Sequence, residues 1–175
     1  MAYEYETVLA EITDDGLIGT ITLNRPEALN TFNETLARDL EQALLDLDED
    51  KDVRVIIITG AGRSFSAGID ISPEIFEGMA PNEYYDWITL MSRPIAVMSK
   101  IKKPVIASVN ALAIANGIGI VAAADLAVAE EDARFGATAI NVGLNCILPQ
   151  VVLYRNIGKK RTLELVLTGR IISRS

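Results

Sequence analysis

The 175-residue chain is half hydrophobic and carries a formal net charge of −8, with a single cysteine, Cys146, and no histidine. A chain of this size fits one domain over residues 1–175, excludes a disulfide framework of its own, and suits nucleic acid poorly, whose phosphates need basic patches. Without histidine it forms no Ser–His–Asp or Cys–His pair, and without a Cys/His cluster no conventional zinc site is expected.

Met1 to Leu9 is acidic and mixed in polarity, without the basic start and apolar run of a signal peptide, so reducing cytoplasm is the expected compartment. Tyr5 to Glu11 alternates in polarity and predicts a strand. Thr13-Asp14-Asp15-Gly16 is a turn, and Leu17 to Leu23 is the returning strand of a hairpin. Thr31 with Glu34 matches a capping box, after which Leu36, Leu40, Ala43, Leu44 and Leu47 line one helical face. Asp48 to Asp52 ends that helix in a charged loop. Val53 to Thr59 is β-branched throughout much of its length and predicts a strand buried on both faces.

Gly60 to Gly68 is a glycine-rich loop. Tyr84, Ile88, Met91, Ile95 and Met98 then repeat at helical spacing, with Pro94 expected to kink the helix. Pro104 to Val109 predicts a second buried strand, Gly117 to Ala123 a helix, and Leu126 to Ala129 a strand. The stretch Pro104 to Ala124 is interrupted by Ser108, Asn110 and Asn116, so it reads as strand plus helix rather than a membrane span. Gly158 to Thr168 closes the series as a helix with Gly169 as its C-cap. Strand–helix alternation of this kind argues for an α/β fold, and no internal repeat is visible in the sequence.

Two segments are suited to chemistry. Ser64-Phe65-Ser66-Ala67-Gly68-Ile69-Asp70 is small and glycine-containing, so its backbone can approach a ligand and aim N–H groups at it. Ala115-Asn116-Gly117-Ile118-Gly119 opens a helical stretch, where N–H groups are unpaired and the dipole is positive. Two such sources can form an oxyanion hole; ordinary turns and close helix–sheet packing want small residues as well.

In order, these segments carry a resemblance. Thr20 to Asn30, Ile58 to Gly62, Phe65 to Asp70, Lys103 to Asn110, Asp132 to Gly136 and Leu163 to Arg170 are similar to the signatures of the crotonase superfamily, the enoyl-CoA hydratase/isomerase family. The resemblance implies a spiral of ββα units, an acyl-CoA thioester as substrate, CoA entering as part of that substrate with no separate cofactor, and a two-N–H oxyanion hole. The first donor falls on Ile69. The second falls on Asn116, counting back from Asp125, with Gly117 as the alternative. Ala28 and the segment Ala67, Gly68, Ile69, Asp70, Ile71 and Ser72 resemble the family's CoA-contacting loops, and Arg25 is a candidate cation for a CoA phosphate.

The chain also departs from the family pattern. Hydratases of the family use two glutamates; those positions hold Gly119 and Ala139, neither of which can carry a proton. Asp70, Glu74 and Glu77 are the candidate replacement acids, and Asn145 and Cys146 fall where family loops line the pocket. Family chains continue past the Leu-Thr-Gly-Arg stretch into helices that cover the pocket and build a homotrimer or a dimer of trimers. Their lack through Ser175 is expected to leave apolar surface exposed. Two expectations follow: an enzyme of enolate chemistry on acyl-CoA, or a catalytically weak acyl-CoA-binding or assembly subunit.

Overall fold

The structure is a computed structural model that describes residues 3–173. The ends of the expected 1–175 domain, residues 1–2 and 174–175, lie outside the described residues. Strand β1 (Tyr3–Glu4) folds against β2 (Val8–Ile12), and β2 pairs antiparallel with β3 (Ile18–Leu23) in the register Val8↔Leu23 to Ile12↔Gly19. The turn between β2 and β3 closes on Gly16 at φ 77°, with the Asp15 carboxylate accepting from Thr13 Oγ1 and Leu17 N. The hairpin is thus as the sequence predicts, with β2 starting later than expected, at Val8.

A 3₁₀ turn (Pro26–Ala28) leads to α1 (Glu34–Glu49). Its predicted face is correct: Leu36, Leu40, Ala43, Leu44 and Leu47 are all fully buried, each leucine contributing about 1.5–3 kcal/mol by leaving water. The cap is not the expected one. Asn33 is the N-cap, its Oδ1 accepting from Leu36 N at 2.8 Å, whereas Thr31 Oγ1 donates to Ala28 O. Thr31 is drawn back into the preceding turn, so it is unavailable to the helix.

Strand β4 (Val55–Gly60) buries Ile56 and Ile58 completely but leaves Val55 and Ile57 half-buried, so only one face is fully covered. The predicted glycine-rich loop contains a strand, β5 (Ser64–Ser66), whose pairing partner, Leu112–Ala113, lies far along the chain. After a short helix α2 (Pro73–Phe76), α3 (Pro81–Met98) runs unbroken through Pro94. Strands β6 (Val105–Val109) and β7 (Leu112–Ile114) precede α4 (Asn116–Ala123). Strands β8 (Leu126–Ala129) and β9 (Arg134–Gly136) precede a second 3₁₀ turn (Thr138–Val142), α5 (Ile147–Thr168) and β10 (Ile171–Ile172). The span of α5 is two helices that meet at a kink at Gly158, φ 76° and ψ 168°. The second of them runs from that glycine to Thr168 as the sequence predicts, with Gly169 as its left-handed C-cap, and the first, from Ile147, was not expected.

The strands form two sheets, ordered β1-β2-β3-β4-β6-β8 and β10-β9-β7-β5. Three successive pairs, β4/β5, β6/β7 and β8/β9, each send the first strand to the large sheet and the second to the small one, and α3, α4 and α5 follow in turn. The ββα repeat absent from the sequence is therefore present in the architecture. The main core lies among the large sheet, α1 and α3. A smaller one, with Ile118, Cys146, Leu153 and Leu165, lies between α4 and α5. Leu126, Val128, Ile147 and Leu167 stay exposed, as apolar surface available for contacts. No helix among the described residues is long and apolar enough to cross a membrane.

Candidate active site

The loop from Arg25 to Asn30 is the base of the first wall. Asn30 takes up φ 54°, a conformation asparagine enters more readily than most residues. Buried there, it donates Nδ2 to Ala61 O and Ser64 O, accepts from Arg25 N, and takes a bond from Ser66 Oγ on its own carbonyl. One side chain thereby fixes the loop against β5. The sequence marks Asn30 only as part of a motif; its left-handed backbone is the signal that gives it this role.

Arg25 closes the same loop. Its Nη1 donates to Thr31 O at 2.6 Å, and its Nη2 lies 3.5 Å from Asp70 Oδ2. The guanidinium expected to meet a CoA phosphate is engaged inside the protein. Asp70 also accepts from Ser72 Oγ and Ser72 N. Burial pushes its carboxyl up, but the Ser72 bonds and Arg25 outweigh that and hold it below the ordinary value.

Ile69 sits between two bonds to Phe32. Phe32 N donates to Gly68 O at 2.8 Å, and Asp70 N donates to Phe32 O at 2.9 Å. In parallel pairing the residue between such bonds turns its own N–H and C=O to the other side, so Ile69 N–H points away from Phe32. Gly68 brings this segment against the start of α4. A Cβ on Gly68 would stand 2.6 Å from Ala115 Cβ and 3.6 Å from Asn116 N, and φ is +97° there. Both facts require glycine.

Asn116 is the first residue of α4, where helix N–H groups have no intrahelical partner and the dipole end is positive. Gly117, the alternative donor, packs directly on the Ser66 carbonyl, so its lack of a side chain serves helix–strand contact.

These walls enclose a cavity of ≈ 610 Å³. Ala67, Ile69, Ile71 and Asn116 line it; Gly68, Asp70, Ser72, Gly117 and Ala28 do not. Its opposite sides come from α3, with Tyr84 and Ile88, and from the turn and helix start that carry Ala139, Cys146 and Leu148. Among the described residues, no Asp, Glu, Lys or Arg lines it. The candidate acids are elsewhere: Asp70 and Glu74 lie off this cavity, and Glu77 lines a separate groove with Arg38 and Trp87. Asn145 and Cys146 do reach the cavity as expected. Burial pushes the Cys146 thiol up despite a backbone hydrogen bond from Ala139. Among the described residues no cluster of three or more metal-ligating side chains occurs.

The two positions expected to carry glutamates differ in kind. Ala139 lines the cavity. Gly119 does not; a Cβ there would stand 2.6 Å from Ile95 Cδ1 and 3.0 Å from Pro149 Cγ, so the site is packed shut.

Comparison with known proteins agrees with this architecture. A Mycobacterium tuberculosis protein named probable enoyl-CoA hydratase echA8 is 36% identical over 170 residues, covering 95% of this chain and 63% of its own length. A second protein of that species, probable enoyl-CoA hydratase EchA12, is 37% identical over 163 residues, covering 89% of this chain and 57% of its own. The crystal structure of enoyl-CoA hydratase from Mycobacterium smegmatis superposes with a TM-score of 0.90 at 36% identity, over 97% of this chain and 65% of that one. The chain thus spans about three fifths of the length of the curated relatives it matches. The sequence profile of enoyl-CoA hydratase/isomerase matches residues 13–175, and the chain belongs to that family.

Proposed function

We propose that the cavity holds the acyl group of an acyl-CoA thioester, with the thioester oxygen accepting from Ile69 N–H and Asn116 N–H. The observation that carries this reading is the meeting of the two backbone segments at Gly68, with Asn116 N 3.6 Å from the vacant Cβ position. Two aligned N–H groups in a site of low polarity stabilise negative charge on oxygen, and removing one such donor typically lowers a rate by about 10²–10³-fold. An enolate formed by loss of a proton from the carbon beside the carbonyl would draw on that stabilisation. The natural reaction of the reading is isomerisation or another enolate step on an acyl-CoA, with CoA as part of the substrate. The exposed apolar side chains Leu126, Val128 and Leu167 support contact with further protein surface, in a homotrimer or a dimer of trimers where the C-terminal helices of the family are present, and the cytoplasm is the compartment we assign.

A second reading is a catalytically weak acyl-CoA-binding or assembly subunit. It is favoured by one observation: among the described residues no ionised side chain lines the cavity, so no carboxylate there is positioned to move a proton or activate water. Incubation with crotonyl-CoA and with a 3-enoyl-CoA, followed by mass spectrometry, together with calorimetry of thioester binding, separates the two. Binding with turnover supports the enzyme. Binding without turnover supports the second reading, and no binding overturns both.

A further inference from the structure

The turn that presents Asn116 is held in a conformation its own residues disfavour. Ala115 precedes α4 at φ 48° and ψ −114°. A side chain bearing a Cβ rarely adopts that backbone; glycine ordinarily supplies it. Such a conformation persists where neighbours over-determine it. Ala115 N donates to Gly136 O at 2.9 Å, and Ala115 O accepts from Gly119 N at 3.2 Å. Gly68 leaves open the space next to Ala115 Cβ. The remaining restraint is the Asn116 side chain, which is buried and donates Nδ2 to Met91 O at 2.8 Å. The others use backbone atoms or a missing Cβ and would exist with glycine at both positions. The amide alone is specific to this turn, and it ties the start of α4 to the middle of α3.

We infer that the Asn116 amide is a positioning group, whose bond to Met91 holds the strained Ala115–Asn116 turn so that Asn116 N–H faces the cavity. The inference rests on the reading of Asn116 N–H as a carbonyl donor. It adds that an alanine is held at position 115, in a backbone conformation glycine ordinarily supplies, because a side chain one residue later clamps the turn. In this reading the Met91 carbonyl anchors the turn, and the clamp and the strain are one coupled device.

The test is a double-mutant cycle of wild type, Asn116→Ala, Ala115→Gly and the double variant, read two ways. The first readout is the carbonyl stretching frequency of bound butyryl-CoA, isotope-labelled at the carbonyl, by difference Raman spectroscopy. The second is Tm. In wild type the frequency drops on binding. Asn116→Ala keeps the backbone N–H, yet is expected to lose at least half of that drop and about tenfold in affinity. The double variant is expected to regain most of the drop, because glycine enters the turn without a clamp. Asn116→Ala should also lower Tm by more in the wild-type background than in the Ala115→Gly background, by about 3 °C. An unchanged frequency in Asn116→Ala, or equal losses in the single and double variants, would overturn the inference. No drop in wild type would instead overturn the donor reading itself; additive Tm effects would then sink the clamp on their own.

Discussion

Gly68 and Ala115 fit together as a pair: the Cβ missing from Gly68 would stand 2.6 Å from the Cβ that Ala115 carries. The contact joins the two segments whose N–H groups are proposed to hold a thioester oxygen. Gly68→Ala must therefore displace Ala115 and adopt φ +97°, at a combined cost of about 3 kcal/mol. Urea unfolding should report that loss, and calorimetry should show butyryl-CoA binding weakened well beyond what stability alone explains.

The two positions lacking glutamates should respond differently to restoring them. Ala139→Glu extends into an open cavity and is expected to cost about 1 kcal/mol of stability, with crotonyl-CoA hydration rising roughly tenfold. Gly119→Glu meets Ile95 and Pro149 and is expected to cost about 3 kcal/mol or more without any gain in hydration. Thermal unfolding and an absorbance assay of the enoyl thioester check both.

Asp70 gives a pH dependence with a defined sign. Its carboxyl is held below the ordinary 3.8 by Ser72 and Arg25 acting against burial. A depressed folded pKa contributes stability that is complete above the unfolded value and is lost as pH falls through the folded one. As pH falls below the ordinary 3.8, the wild-type urea midpoint should therefore fall more steeply than that of Asp70→Asn. Parallel curves would remove Asp70 from the loop's stabilisation.

How far these features were legible in the sequence depends on the range of the interaction that sets them. The buried face of α1 follows from local periodicity, and Leu36 to Leu47 lie where it predicts. The cap did not, because Thr31 and Asn33 both offer a side-chain oxygen, and the choice is made by Arg25 and Ala28 in the preceding turn. Strand β5 has three residues and a partner 48 positions away at Leu112, so no local pattern announces it. Ile69 and Asn116 were identified through family resemblance rather than periodicity, and both line the cavity. Met91 looked like any helical core residue; its carbonyl matters only because α4 begins beside it.

Cys146 reports on the cavity without disturbing it. The thiol is 5% exposed and burial pushes its pKa up, so little reactive thiolate forms. Iodoacetamide should modify it at least about 10²-fold more slowly in the folded protein than in urea, and saturating butyryl-CoA should slow it further. An equal rate with and without the thioester would place the acyl group elsewhere.

The most direct test of the account removes only the oxygen it concerns. Butyryl-CoA and its thioether analogue S-butyl-CoA share the CoA moiety and an acyl-length chain, and differ in the carbonyl. Two N–H donors contributing about 0.5–1.5 kcal/mol each predict that the thioester binds roughly 5- to 150-fold more tightly by calorimetry. Equal affinities would show that Ile69 and Asn116 do not hold the carbonyl, and would contradict the proposed site.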